Sequence, residues 1–184
     1  SINVDNNGKL ISRVPSFFFF FINIKNNSNA TFENDVIMNY PNFHINNSTA
    51  VFNEKLEIWD NSDFTQPVIE QDNDFSGGSL SLDNSTLDIK GEARFDSTSV
   101  LINHGSTATI DNLLSNSSKI YVVNDSKLEI NNDAEFYEFD EDETHLIIKD
   151  SKLEINKDVF FGGTHLIIKD DSNATINGVL SVTG

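Results

Sequence analysis

The chain has 184 residues, 38% of them hydrophobic, enough for one domain with a core of its own. Its 29 acidic residues against 12 basic ones leave a net charge of −17, which disfavours nucleic-acid and anionic-membrane partners and leaves cation binding open. It has no cysteine, so disulfides and thiol chemistry are excluded, although a cytosolic or a bacterial surface setting fits equally well.

The chain opens at Ser1 rather than Met, so a removed leader or a longer N-terminal part is expected. Residues 1–25 read as an N-terminal cap or a first rung. Within them the run Phe17-Phe18-Phe19-Phe20-Phe21-Ile22 is far shorter than the roughly 20 apolar residues a bilayer demands. It is expected to be a buried strand or end-cap, with an interface as the other reading. No segment is expected to insert into a membrane.

Residues 33–78 are the least regular, and Pro41 and Pro67 interrupt them. They carry the aromatics Tyr40, Phe43, Trp59, Phe64 and Phe75. An exposed Trp59 could stack on a sugar ring while Asp60 and Asn61 hydrogen-bond its hydroxyls, with Tyr40 nearby in the same region. The competing reading makes these aromatics the core of imperfect rungs.

From residue 79 onward the pattern is regular. Leu80-Ser81-Leu82-Asp83-Asn84-Ser85-Thr86-Leu87-Asp88-Ile89 restates the layout of Phe43 to Phe52. Two stretches are literal copies: Asp125 to Asn131 recurs as Asp150 to Asn156, and Thr144 to Asp150 recurs as Thr164 to Asp170. Leu128 and Ile130 flank Glu129, and Ala108 and Ile110 flank Thr109, so the apolar residues alternate as they do on a strand. A sequence that returns in the same direction about every twenty residues marks a solenoid, not a set of hairpins.

The register is set by a serine after each turn: Ser28, Ser48, Ser62, Ser85, Ser106, Ser126, Ser151 and Ser172. Before them stand Asn27, Asn47, Asn61, Asn84, Gly105, Asp125, Asp150 and Asp171, all residue types that tolerate a left-handed backbone at a corner. The fold class expected is all-β, a single-stranded parallel β-helix solenoid of about eight rungs, right-handed by the usual rule for parallel crossovers. One rung would take strands like Ser126 to Ile130, Ala134 to Phe136 and Thr144 to Lys149. Rungs about 4.8 Å apart would build a single-domain rod about 40 Å long. Its end at Val182-Thr183-Gly184 falls in mid-rung, as a piece of a longer solenoid would.

The longer step from Ser126 to Ser151 holds an insertion with the acidic run Asp140-Glu141-Asp142-Glu143. Clustered oxygens of this kind could bind Ca²⁺, which takes six to eight oxygen ligands, but no EF-hand or nonapeptide spacing is present, and a solvated loop is the favoured reading. No other cofactor is expected. His145 and His165 hold equivalent positions in two copies, which offers a weak metal pair or simply a duplicated residue. The duplicated Lys127 with Lys152, and Glu129 with Glu154, would form adjacent files of opposite charge.

The Asn-, Ser-, Thr- and Asp-rich rungs, such as Asp83 to Ile89 and Asn103 to Ile110, resemble the passenger domains of bacterial autotransporter adhesins and, more generally, the pectin-lyase-like right-handed β-helix. The likeness runs from about Asn23 to the end. It implies a secreted or bacterial surface protein that adheres to host or neighbouring cells through glycans or proteins, without catalysis. Two other functions stay open. A polysaccharide-cleaving enzyme would need converging carboxylates, roughly 6.5–9.5 Å apart for an inverting glycosidase. A self-associating scaffold or phage-fibre segment would use its rung edges or the Phe17–Phe21 run.

Overall fold

The computed structural model describes residues 1–18, 21–39, 42–59, 68–69, 75–76, 80–138 and 145–183. Apart from one short antiparallel pair, its strands form a parallel β-solenoid with three faces, each eight strands deep, making about seven turns of about twenty residues. The first face begins with Ile2–Val4 and ends with His165–Lys169; the second begins with Lys9–Ser12 and ends with Asn173–Ile176; the third begins with Ser16–Phe18 and ends with Leu180–Thr183. In the fourth and fifth layers the second and third faces share one long strand, Thr86–Asp96 and then Thr107–Asn116. Among the described residues no helix is long and apolar enough to cross a membrane.

The duplicated segments lie directly over one another. Leu128 pairs with Leu153, Ile130 with Ile155, and His145 with His165 in parallel register. Strict alternation then sorts each face into inward and outward files. On the second face one inward file reads Phe32, Phe52, Ile89, Ile110, Ile130, Ile155, all buried. Identical rings in adjacent layers can stack at the strand spacing: Phe32 on Phe52 at 4.6 Å, and Phe136 on Phe161 at 4.8 Å.

The corners follow the sequence signature closely. Asn27, Asn47, Asn84, Gly105, Asp125 and Asp150 all have positive φ. At the last corner the left-handed residue is Asp170 (φ 56°) rather than Asp171, and the first layer uses Asn6 and Asn7 before Gly8, where no serine marks the turn. The serines themselves point inward and tie the layers together. Each backbone N–H donates to the hydroxyl of the layer above: Gly8 to Ser28 (3.1 Å), Ser28 to Ser48 (3.1 Å), Ser48 to Ser85 (3.2 Å) and Ser85 to Ser106 (3.0 Å). The pattern resumes with Ser126 to Ser151 (3.1 Å) and Ser151 to Ser172 (3.3 Å). A corner N–H points away from the strand ladder, and a buried hydroxyl is the smallest group that satisfies it. A second hydroxyl corner, unmarked in the sequence reading, joins the third face to the first: Thr98 N–H donates to Ser118 Oγ at 3.0 Å, after left-handed Ser97 and Ser117.

Two expectations are corrected. Ser62 is not a corner serine of the stack: Phe43 pairs with Leu80 and Ser48 reaches Ser85, so consecutive layers are 37 residues apart there and Ser62 lies outside the described residues. Within that long connection 68–69 and 75–76 pair antiparallel. The Phe run is not simply buried, because Phe17, in the strand Ser16–Phe18, is 64% exposed and Phe21 is 53% exposed. Alternation turns Phe17 outward on the third face, beside Ile37 of the next layer.

On the first face, Ser99–Asn103 and Lys119–Val123 are buried on both sides. The outward Leu101, Tyr121 and Val123 form a second apolar cluster with Ile147, and burial raises the Tyr121 phenol above its ordinary pKa. Their near-continuous apolar sequence is what a strand covered on both faces calls for.

Candidate functional site

Four residues were singled out for ligand binding, and Trp59 is the one the structure describes; Tyr40, Asp60 and Asn61 lie outside the described residues, as do the acidic positions Asp140, Glu141, Asp142 and Glu143. Trp59 ends the strand Leu56–Trp59, in which Leu56 and Ile58 enter the core. Alternation therefore turns its indole outward, and it is 43% exposed. It is not a core aromatic.

Trp59 belongs to an outward file on the third face that reads Asn39, Trp59, Asp96, Asn116, Tyr137, Gly162. The parallel file beside it reads Ile37, Glu57, Arg94, Leu114, Glu135, Phe160. Asp96, in register with Trp59, is held from two sides: Arg94 Nε donates to Oδ2 at 2.7 Å and Asn116 Nδ2 donates to Oδ1 at 2.5 Å. The carboxylate of Asp96 holds the Arg94 guanidinium firmly charged. Next to this pair, Lys55 Nζ lies 2.9 Å from Glu57 and 3.1 Å from Glu92. Desolvation opposes the Lys55 charge, but the two carboxylates outweigh it and raise its pKa. Glu57 is buried at the foot of this network. The backbone reaches this arrangement through a register shift between Ile89 and Glu92, where a Cβ on Gly91 would lie 2.8 Å from the Glu54 carbonyl.

Three layers further along the same files stands a second aromatic group. Tyr137 and Phe160 face each other at 5.2 Å between ring centres, and the Tyr137 hydroxyl donates to Glu135 Oε2 at 2.7 Å. Gly162 makes room for this pair, since a Cβ there would come within 2.8 Å of the Phe160 ring and 3.4 Å of Tyr137. A sequence reading confined to residues 33–78 misses this pair, although Tyr137 and Phe160 are outward by the same alternation that defines the rungs.

On the first face, His44 Nδ1 hydrogen-bonds Ser81 Oγ, and burial lowers the His44 pKa, keeping the imidazole neutral near pH 7. Asp83 accepts from Asn46 (2.9 Å) and from His104 Nδ1 (2.8 Å). His44 meets Ser81, and Asn46 meets Asp83, across the 37-residue step, which a fixed period of twenty conceals; His104 comes from the next layer, 21 residues on from Asp83. On the second face Lys127 bridges Glu129 (2.8 Å) and Glu154 (3.0 Å), the offsetting of charged files that duplication creates. Among the described residues no group of three or more His, Asp or Glu side chains is placed to hold a metal ion.

Comparison with known proteins adds no relative: no family model, curated protein or solved structure matches the chain.

Proposed function

We propose that this solenoid is a non-catalytic, surface-exposed adhesive element, secreted or displayed on a bacterial outer surface, that attaches to glycans of host or neighbouring cells. The observation that carries this reading is Trp59, an exposed indole fixed on a rigid layered sheet and bordered by the oriented polar groups of Asp96, Arg94 and Asn116. An apolar ring face beside fixed donors and acceptors is the chemistry that recognises a sugar, whose rings have apolar C–H faces and hydroxyl edges. The test is a glycan array combined with cell-surface adherence, run beside an assay for release of reducing sugar. Binding without release is expected. Release of reducing ends that two carboxylate substitutions abolish would replace this reading with a polysaccharide-cleaving one.

Self-association is the second reading, and it rests on the Phe run, where Phe17 and Phe21 are exposed. Sedimentation velocity across a concentration series distinguishes it, because a purely adhesive monomer keeps one sedimentation coefficient.

A further inference from the structure

We infer that the third face binds one extended, uncharged polysaccharide chain along the solenoid axis, with Trp59 and the Tyr137–Phe160 pair as two stacking stations for the same chain. The inference rests on the glycan reading above and specifies its ligand class and its second contact point.

Three observations place the two stations on one track. First, Trp59 and Tyr137 belong to the same outward file, joined through Asp96 and Asn116 by uninterrupted parallel pairing. Second, three layers separate them, which at about 4.8 Å per layer sets the rings about 14 Å apart, a span of several sugar units. Third, the stretch between them is polar in that file, with the Asp96 carboxylate and the Asn116 amide fixed by their mutual hydrogen bond. A polymer lying along the file would meet a ring, then hydrogen-bonding groups, then a ring.

Gly162 shows how the second station is shaped. Any side chain there would drive into the Phe160 ring, so glycine lets that ring lie low over the sheet against Tyr137. Glu135 orients the Tyr137 hydroxyl from the neighbouring file. Charge fixes the ligand class. The chain carries −17, and Asp96 and the exposed Glu135 line the outward files with Arg94 as their counter-charge, while Lys55 bridges the buried Glu57 to Glu92 beside them. The net negative charge disfavours a polyanion, whereas neutral hydroxyls can donate to Asp96 and Glu135.

Two linked stations bind far more tightly than either alone, by roughly 10²–10⁴ when the geometry permits both, so losing one should weaken binding at least about tenfold. The experiment is affinity electrophoresis and titration calorimetry of the whole chain with hydroxyethyl cellulose, galactomannan and xylan, and with polygalacturonate as the anionic probe. Wild type is expected to bind at least one neutral polymer and not polygalacturonate. Trp59→Ala and Phe160→Ala should each weaken that binding about tenfold or more, and a disaccharide of the same sugar should bind to neither station measurably. Gly162→Ala should reproduce the Phe160 loss without removing an aromatic ring. Thermal melts confirm that each variant is folded, and a variant that fails to fold is replaced by Trp59→Leu or Phe160→Leu, which keep apolar bulk. Neutral-polymer binding that survives both aromatic substitutions overturns the two-station inference and leaves glycan adhesion intact. Binding of polygalacturonate alone, or of no polymer, also overturns it. Whether the chain still adheres to cells is then read independently by the adherence assay.

Discussion

The outward files of the second and third faces are built on the same interior and could hardly be more different. On the second face one outward file reads Lys9, Asn29, Thr49, Thr86, Thr107, Lys127, Lys152, Asn173, and its neighbour ends in Thr109, Glu129, Glu154, Thr175. These are threonines, asparagines, lysines and glutamates, with Lys127 ion-paired to Glu129 and Glu154, what any exposed strand can carry. On the third face the equivalent positions hold Trp59, Asp96, Asn116, Tyr137 and Phe160, with little repetition. Beneath both, the inward files are apolar apart from Ser12 and Ser16 in the first layer and the buried Ser115 on the third face. A stack that duplicates by copying whole layers keeps its inside and generic face alike, and the third face is where this chain departs from its own repeat.

The comparison can be sharpened first by setting an inward residue against its outward neighbour. Phe136→Ala removes a fully buried ring stacked on Phe161 and should cost about 3–5 kcal/mol in urea unfolding. Phe160→Ala, on the outward side of the next layer, should cost about 1 kcal/mol or less, so equal losses would show that the third face is a structural surface. A second, smaller effect is expected at the corners. Ser85→Ala strips the Ser48 N–H of its acceptor in a buried setting, and about 1–3 kcal/mol of stability should go with it.

Acidification should act on the first face. Burial lowers the His44 pKa in the folded chain, whereas the unfolded chain takes up a proton near 6.5. The stability that neutral His44 contributes is therefore complete above 6.5 and is lost as pH falls through that value toward the lower folded one. The urea midpoint should decline from pH 7 to pH 5, and His44→Gln should flatten that decline. The smallest effect is expected on the second face, where Lys127→Ala should cost no more than about 1 kcal/mol and 1 M salt should erase most of the difference.

The strand period, the stacking of Leu128 on Leu153 and the left-handed Asx corners were all legible in the sequence, because alternation and turn chemistry are local properties. What escaped it was non-local. Asn61-Ser62 imitates the corner signature, and only the pairing of Phe43 with Leu80 reveals that the stack passes it by. The serines were readable as markers but not as acceptors, since their partners are a full turn away. The Phe17 run reads as core by composition, yet alternation on the third face turns Phe17 to solvent. Trp59 could be called outward only once the strand Leu56–Trp59 was fixed, and Tyr137 reads as the start of the insertion until its pairing with Asn116 and Gly162 puts it at the end of a strand.

The long step between Ser48 and Ser85 carries a practical lesson. The hydrogen bond across it, at 3.2 Å, is as good as those between layers twenty residues apart, so the coil accommodates an excursion at a corner with no penalty to its register. Corners of this kind are natural ports for grafting: a foreign loop or reporter spliced between residues 60 and 79 should leave the neighbouring turns in phase, and the solenoid could serve as a ruler on which displayed segments are set at chosen heights.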